Sequence, residues 1–281
     1  MPEVSLSAGD IEYEDTGGSG PVLVFLHGVL MDGTLWRKIV AQLQTEYRCV
    51  VPVLPLGGHH KPMNPDADLS ILAQVRLVAE FLDALDLDDV TLLGNDWGGA
   101  QLLVSEQVDS RVSRLVLTSC EAFDNYPPGI PGRLLCLLAR VPGGLAITGQ
   151  MMRFNLLRRL PITLGRMSKR PVEAPVIRGW MAGLRNRAIR RDLRKYLTKV
   201  PSKEQLLGWA ELQSRFTGPV LVAWASEDRI MPLEHGRRLA ELFPNAELVE
   251  IPDSYTLIPE DQPELLSWHI KAFLARTNTG T

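Results

Sequence analysis

The sequence feature that most constrains the fold is a glycine-rich turn between an apolar run and a helical pattern. The turn spans Gly94–Gly99 with the sequence GNDWGG; it follows the apolar run Val90–Leu93 and precedes helical spacing over residues 100–105. A turn this sharp holds its central residue in a strained backbone conformation. The residues two positions before and two positions after it must therefore have little or no side chain. The sequence therefore predicts that Asp96 is presented at the tip of a tight strand–turn–helix unit.

A strand, a glycine-flanked residue and a helix form the arrangement known as a nucleophile elbow, in which the central residue is usually Ser. Here it is Asp96, whose carboxylate is ionised near neutral pH and can attack without a neighbouring base. A carboxylate is a poor nucleophile for amides and esters but an adequate one for an sp3 carbon that carries a leaving group. A chance turn with an N-capping Asp is disfavoured, because the strand and the helix are both present.

Apolar runs alternate with helical patterns along most of the chain. Strands are predicted at residues 3–7, 10–15, 22–26, 49–54, 90–93, 115–117, 220–224 and 248–251, and a long helix at residues 69–85. Continuous apolar runs such as Val22–Leu26 are typical of strands buried on both faces of a parallel sheet. The alternation predicts an α/β fold with a doubly wound, mostly parallel sheet and right-handed crossovers.

Basic residues are concentrated in one segment of the chain. Between Tyr126 and Glu204 there are 17 Lys and Arg and 3 acidic residues, a net charge of +14. The rest of the chain has 13 basic and 30 acidic residues, a net charge of −17. The segment has helical periodicity and no convincing strand. We therefore expect residues 126–205 to form a helical cap between core segments 1–125 and 206–281. Its charge either attracts an anionic or phenolic substrate or belongs to solvated helices whose Arg stems cover apolar surface.

Composition excludes several classes of function. The net charge of −3 argues against bulk affinity for nucleic acid, and no apolar run approaches the roughly 18 residues of a membrane-spanning helix, so no transmembrane helix is expected. A membrane-surface role for the basic segment has no support elsewhere in the chain, so no membrane association is expected. The N-terminus lacks the basic and apolar parts of a signal peptide. Three Cys without metal-like spacing suggest reduced thiols in a cytoplasmic protein. We expect a small-molecule substrate and no cofactor, and a homodimer is compatible with the sequence.

These patterns resemble the α/β-hydrolase fold with a helical cap, and the resemblance covers essentially the whole chain. His27-Gly28, after the third predicted strand, is similar to the oxyanion-hole motif of that family. Residues 94–99 resemble the elbow of the Asp-nucleophile branch, which includes epoxide hydrolases and haloalkane dehalogenases, and Trp97 is the usual residue after the nucleophile there. The resemblance implies an oxyanion hole at Gly28, built from the backbone N–H groups of Val29 and Trp97.

The resemblance also implies a two-step mechanism. The Asp96 carboxylate attacks carbon to form an ester, and a His oriented by an acid then activates water to cleave that ester. Ser226-Glu227-Asp228 resembles the position of the acid, although Glu121 and Asp124 follow the sixth strand, where some relatives place theirs. The His should follow the last strand, but Thr256 stands at its position, after Tyr255. Thr cannot act as a base near neutral pH, so the expected base is missing.

Three explanations for the missing base remain open. The first is a relocated base: His59 and His60 follow the fourth predicted strand, at the edge of the sheet where α/β ligand sites form, and one of them would face Asp96. Otherwise they are a surface pair. The second is a non-hydrolytic reaction, such as an elimination, ring opening, cyclisation or rearrangement, with Asp96 as acid or base. The third is ligand binding without turnover.

Several further side chains are candidates for the substrate site. The resemblance to epoxide hydrolases implies that hydroxyl groups of cap tyrosines, here Tyr126 and Tyr196, donate to the epoxide oxygen, although Tyr196 also suits helix packing. The resemblance to dehalogenases implies that the Trp97 indole binds halide. Those enzymes often have an Asn as a second halide donor at the position that Val29 occupies here. Trp180 in the cap could supply this donor instead, or it could be a core residue. The predicted site is completed by His27, Tyr255 and Thr256, although a His at the position of His27 is more often structural.

The leading prediction from the sequence is an epoxide hydrolase-like enzyme.

Overall fold

The computed structural model describes residues 1–97 and 99–277 and contains one eight-stranded sheet. Gly98, the second glycine predicted to flank Asp96 in the turn, lies outside the described residues. The strands are β1 Glu3–Leu6, β2 Gly9–Asp15, β3 Val22–Leu26, β4 Arg48–Pro52, β5 Val90–Asp96, β6 Val112–Cys120, β7 Val220–Ala225 and β8 Ala246–Ile251. The helices are α1 Arg37–Leu43, α2 Ile71–Ala84, α3 Gly99–Ser105, α4 Gly129–Arg140, α5 Gly144–Met151, α6 Asn155–Arg158, α7 Ala174–Trp180, α8 Arg187–Thr198, α9 Lys203–Leu212, α10 Leu233–Leu242, α11 Ile258–Asp261 and α12 Pro263–Thr277.

The sheet has the order β1-β2-β4-β3-β5-β6-β7-β8. The first two strands form an antiparallel hairpin, and β2 pairs antiparallel with β4, whereas β3 to β8 run parallel. All seven residues of β5 are buried, as the predicted two-sided burial requires. The α/β class with a mostly parallel sheet is therefore confirmed, and the central strand β5 carries Asp96 at its carboxyl end.

The basic segment is helical and lies between β6 and β7. Helix α4 packs against α5 and α8, whereas α9 packs against α3 of the core. The predicted end of the cap at residue 205 therefore falls inside a helix that contacts the core. In α8 the buried residues include Ile189, Leu193 and Tyr196, so this strongly basic helix turns one apolar stripe inward. Among the described residues, no helix has the length and apolar character needed to cross a bilayer.

Candidate active site

Asp96 occupies a strained position at the end of β5. Its φ of 64° lies in the left-handed region, and the pairing register with β6 shifts between Asn95 and Asp96. A non-glycine residue in this region is uncommon and is typical of functional turns. A Cβ at Gly94 would lie 3.2 Å from the Cβ of Ala100, so the strand and the helix approach closely here. The turn has the form that the glycine pattern predicts for the described residues.

Val29 supplies a backbone donor to the carboxylate. Its N–H donates to Oδ2 of Asp96 at 3.2 Å, and Gly28 is packed so tightly that a Cβ there would lie 2.2 Å from that oxygen. Glycine is therefore required at position 28. The second predicted donor differs: the Trp97 N–H donates to the Asn95 carbonyl at 2.7 Å. The tight turn at Asp96 directs this N–H back along the chain, which corrects its assignment as a donor to the site.

His27 orients this loop from the side away from the carboxylate. Its Nε2 accepts the Leu54 N–H at 2.9 Å, so the ring proton sits on Nδ1 and is donated to the Gly28 carbonyl at 2.9 Å. Burial lowers the pKa of His27 to about 4, which keeps the ring neutral. The ring therefore links the Gly28 carbonyl to the Leu54 N–H. His27 does not line the cavity around Asp96, so its predicted contact with substrate is corrected to a positioning role.

The Asp96 carboxyl group is buried and easily protonated. Burial raises its pKa to about 7; the Val29 N–H opposes this shift and the charge of Asp228 adds to it. Near neutral pH the group is divided between acid and carboxylate, whereas a solvated Asp would be fully ionised. It can therefore act as a nucleophile above pH 7 and as a proton donor below it.

Asp228 and Thr256 contact each other near Asp96. Oδ1 of Asp228 accepts the N–H groups of Ile230 and Met231 and the Thr256 hydroxyl, each at 2.9 Å. Its Oδ2 is buried and has no hydrogen bond of good geometry among the described residues, although the Ser119 hydroxyl lies close enough to lower the pKa of Asp228. Burial raises the pKa of Asp228 to about 6 against these hydrogen bonds. A hydroxyl thus contacts the acid where the resemblance places an imidazole.

The histidine contacts do not support the hypothesis of a relocated base. His59 is buried, accepts the Gly57 N–H through Nδ1 at 3.2 Å, and has Nε2 3.5 Å from the Asp192 carboxylate. His60 is exposed and contacts Glu12 at 3.0 Å. Both rings turn towards other carboxylates rather than towards Asp96. All five histidines lie in the described part of the chain, and none of them lines the cavity that contains Asp96.

The cavity that contains Asp96 lies between the core and the cap. Its volume is about 140 Å³, close to the roughly 150 Å³ of an apolar cavity that binds benzene. Most of its lining is apolar, with residues from the loop after β3, from α4 and α5, and from the segment that precedes α7. Five methionines contribute: Met31, Met151, Met152, Met167 and Met181. Because methionine side chains adapt their shape, such a lining tolerates apolar ligands of different outline.

Two tyrosines place hydroxyl groups in this apolar cavity. Tyr126 and Tyr196 both line it, with ring centroids 6.3 Å apart in an edge-to-face arrangement. Both hydroxyl oxygens are buried, and neither has a hydrogen bond of good geometry among the described residues, but the two hydroxyls lie close enough to each other to interact. Burial, followed by the charge of Glu121, raises the pKa of each tyrosine. The two groups remain protonated and are available as donors to a ligand.

Other predicted site residues are engaged elsewhere. Trp180 lines the cavity, but its indole N–H donates to the Thr34 hydroxyl at 2.9 Å, so it is not the spare halide donor considered from the sequence. Tyr255 and Thr256 are buried outside the cavity lining, and the guanidinium of Arg229 lies 4.6 Å from the Tyr255 ring centroid. Instead of lining the cavity, the Thr256 hydroxyl donates to Asp228 and the Tyr255 N–H donates to Asp261, which corrects their predicted contact with substrate.

The two alternative acids have different locations. Glu121 lines the cavity and its N–H donates to the Asp96 carbonyl at 2.9 Å, whereas Asp124 forms an ion pair with Lys203 at 2.7 Å. Glu121 therefore adds a second carboxyl group to the cavity. Sequence reasoning considered it only as an alternative acid and missed the methionine lining altogether. The signal for Glu121 is its position directly after β6, since parallel strands end at one edge of the sheet.

The comparisons with known proteins agree with this geometry. The family model described as the alpha/beta hydrolase fold matches residues 21–263. The chain belongs to the α/β-hydrolase fold family. The crystal structure of a thermophilic esterase from Thermogutta terrifontis is similar to this α/β-hydrolase with a TM-score of 0.72 and 21% identity over 98% of both chains. At that identity the likeness shows the shared fold alone.

Two curated relatives of this α/β-hydrolase have activities on different substrates. Haloalkane dehalogenase 2 from Mycobacterium tuberculosis is 29% identical over 269 residues, which cover 93% of this chain and 90% of the relative. The cis-3-alkyl-4-alkyloxetan-2-one decarboxylase from Xanthomonas campestris pv. campestris is 29% identical over 292 residues, covering 95% and 92%. The chain is thus an α/β-hydrolase-fold enzyme with dehalogenase and decarboxylase relatives.

Proposed function

We propose that Asp96 attacks an electrophilic carbon of a small, apolar, epoxide-like molecule. The observation that carries this proposal is the joint placement of three groups in one apolar cavity: the Asp96 carboxyl group and the buried, protonated hydroxyl groups of Tyr126 and Tyr196. An epoxide needs a nucleophile at carbon and a hydrogen-bond donor at oxygen. The apolar lining suits the rest of such a substrate.

The proposed first step opens the strained ring. Oδ2 of Asp96 is held by the Val29 N–H, which leaves Oδ1 to form the bond to carbon. The carbon–oxygen bond of the ring breaks, its electron pair stays on oxygen, and a tyrosine hydroxyl stabilises and protonates that oxygen. Water then returns the proton to the tyrosine. The product of this step is a hydroxyalkyl ester of Asp96.

The proposed second step lacks its usual catalyst. Cleavage of the ester by water needs a base, and the group hydrogen-bonded to Asp228 is the Thr256 hydroxyl rather than an imidazole. We therefore propose that the ester forms readily and is hydrolysed slowly. The proposed reaction therefore begins as in an epoxide hydrolase, but the ester intermediate accumulates because its hydrolysis is slow.

Intact-protein mass spectrometry tests the first step. After incubation with a panel of epoxides and alkyl halides, we expect the wild-type protein to gain the mass of one substrate molecule, and Asp96→Asn to gain none. Tyr126→Phe and Tyr196→Phe should slow adduct formation with epoxides by about 100-fold, the lower range for loss of a positioned acid. They should leave reaction with alkyl halides nearly unchanged, because a halide leaving group needs no proton.

Rapid release of a diol containing oxygen-18 from labelled water, without an accumulating adduct, would contradict slow ester hydrolysis. A ligand bound equally tightly by wild type and Asp96→Asn, with neither adduct nor product, would favour a binding protein over an enzyme. Adducts with alkyl halides alone would favour the dehalogenase alternative. The Trp97 indole Nε1 is buried and unpartnered among the described residues, but Trp97 does not line the cavity, so the predicted contact of this indole with halide has no support from the cavity.

A second candidate is a non-hydrolytic lyase reaction on a strained cyclic ester. Its support is the similarity to the oxetanone decarboxylase over 95% of this chain, together with the lack of an imidazole in the cavity. A cis-3,4-dialkyloxetan-2-one should then yield an alkene and carbon dioxide in equal amounts, measured by gas chromatography and mass spectrometry. The Asp96→Asn variant is the control. A hydroxy acid as the product would contradict a lyase reaction.

A further inference from the structure

The cap exposes an unusual number of apolar side chains. Nine large hydrophobic residues are exposed in the described part of the chain, and seven of them lie between residues 130 and 162. We call these seven the cap patch: Ile130, Leu137, Val141, Ile147, Phe154, Leu156 and Ile162. Phe154 is 63% exposed and Leu156 76% exposed. Exposed apolar residues concentrated in this way indicate an interaction surface.

The same part of the cap is exclusively basic. Residues 125–172 contain eight Lys or Arg and no Asp or Glu. The exposed guanidinium groups of Arg133, Arg140, Arg153 and Arg159 form no ion pair with any described residue. Positive charge without internal partners favours an anionic binding partner.

Helix α4 shows how apolar and basic side chains share one face. Ile130, Arg133, Leu137 and Arg140 are three or four residues apart, so they lie along one exposed stripe. Cys136 and Ala139 are buried on the other side of the helix. An exposed stripe that combines leucine-like and arginine side chains is typical of helices that lie in the surface of a membrane.

The cap patch also borders the cavity. Ile162 is 40% exposed and is at the same time part of the cavity lining. Leu134 and Leu138 of α4 line the cavity and are partly exposed beside the stripe. The surface and the cavity that contains Asp96 are therefore continuous through the cap.

We propose that the cap patch docks on the surface of an anionic lipid bilayer, with the cavity opening towards the acyl chains. Apolar side chains would enter the interface while the arginines pair with lipid phosphates. A second copy of the chain is a poorer occupant, because it would bring two such basic segments together and they repel. The proposal departs from the sequence-based expectation of no membrane association, and it does not depend on the reaction at Asp96.

Vesicle flotation tests the proposal with the intact chain. We expect the protein to float with vesicles of equimolar phosphatidylcholine and phosphatidylglycerol, to bind pure phosphatidylcholine vesicles far less, and to dissociate at high salt. Replacing Arg133 and Arg140 with Gln should weaken binding about fivefold for each charge removed. The double variant Phe154→Ser/Leu156→Ser should weaken binding at least about tenfold.

Matched controls lie outside the cap. Trp268→Ser removes an aromatic side chain that is 63% exposed, the same fraction as Phe154, and should bind like wild type. Arg215→Gln/Arg237→Gln removes two exposed charges of the core and should also leave binding nearly unchanged. Equal binding to neutral vesicles, or equal losses in cap and control variants, would overturn the proposal. The proposal would also be overturned if the wild-type protein bound no vesicles but formed a dimer, and if Phe154→Ser/Leu156→Ser dissociated that dimer.

Discussion

The Asp96 side chain shows how one residue couples reactivity to stability. The residue is 5% exposed, and burial raises the pKa of its carboxyl group to about 7 from the ordinary value of 3.8 for Asp. Between these values the folded chain holds a proton that the unfolded chain releases, so stability falls as pH rises through the window from about 4 to about 7. Above this pH window the buried carboxylate lowers the free energy of unfolding by its full amount, with an upper limit of about 4 kcal/mol. The ionised form of Asp96, which is the form proposed to attack carbon, is therefore the destabilising form.

Replacing Asp96 with Asn should remove this cost. We expect the Asn variant to exceed wild type in free energy of unfolding by a few kcal/mol at about pH 8, and by much less at about pH 5. Urea denaturation of both proteins at the two pH values measures the difference. Burial also raises the pKa of Asp228, to about 6, and because the two charges repel, loss of the Asp96 charge should add slightly to the same difference. Parallel pH dependences would contradict a buried, protonated Asp96.

Among the elements, helix α8 fastens the cap to the core through one buried carboxylate. Asp192 is fully buried, and its Oδ2 accepts the Met63 N–H at 2.9 Å from a core loop. Its Oδ1 accepts two hydrogen bonds from Arg191, and His59 lies beside Oδ2. Removing the carboxylate would leave the Met63 N–H and His59 buried without their partner. This contact accounts for the burial of His59 without a catalytic role.

We therefore expect Asp192→Ala to destabilise the protein by about 3 kcal/mol. A matched control is Asp68→Ala, because Asp68 also joins the core to the cap, through Lys199 at 2.7 Å, but both side chains are 56% exposed. The control should cost less than about 1 kcal/mol. Thermal or urea unfolding measures both. Similar losses in the two variants would show that burial does not set the strength of this connection.

At the scale of the whole molecule, local patterns predict the core better than the site. The strands follow from short apolar runs, and the turn at Asp96 follows from the spacing of its glycines, so both were predictable from neighbouring residues. The orientation of His59 was not, because it depends on Asp192, which lies 133 residues later in the chain. The shared cavity of Tyr126 and Tyr196 likewise depends on how the cap folds back. Such distant contacts leave no local signal in a single sequence.

The hydrogen bond between Thr256 and Asp228 has a consequence for how the protein would act in a cell. A catalyst returns to its starting state, but a chain that keeps an alkyl group on Asp96 reacts once and is then spent. Its capacity would be set by the number of protein copies rather than by a turnover rate. Each modified chain would then retain the alkyl group of one substrate molecule, as in a sensor or a scavenger of reactive molecules.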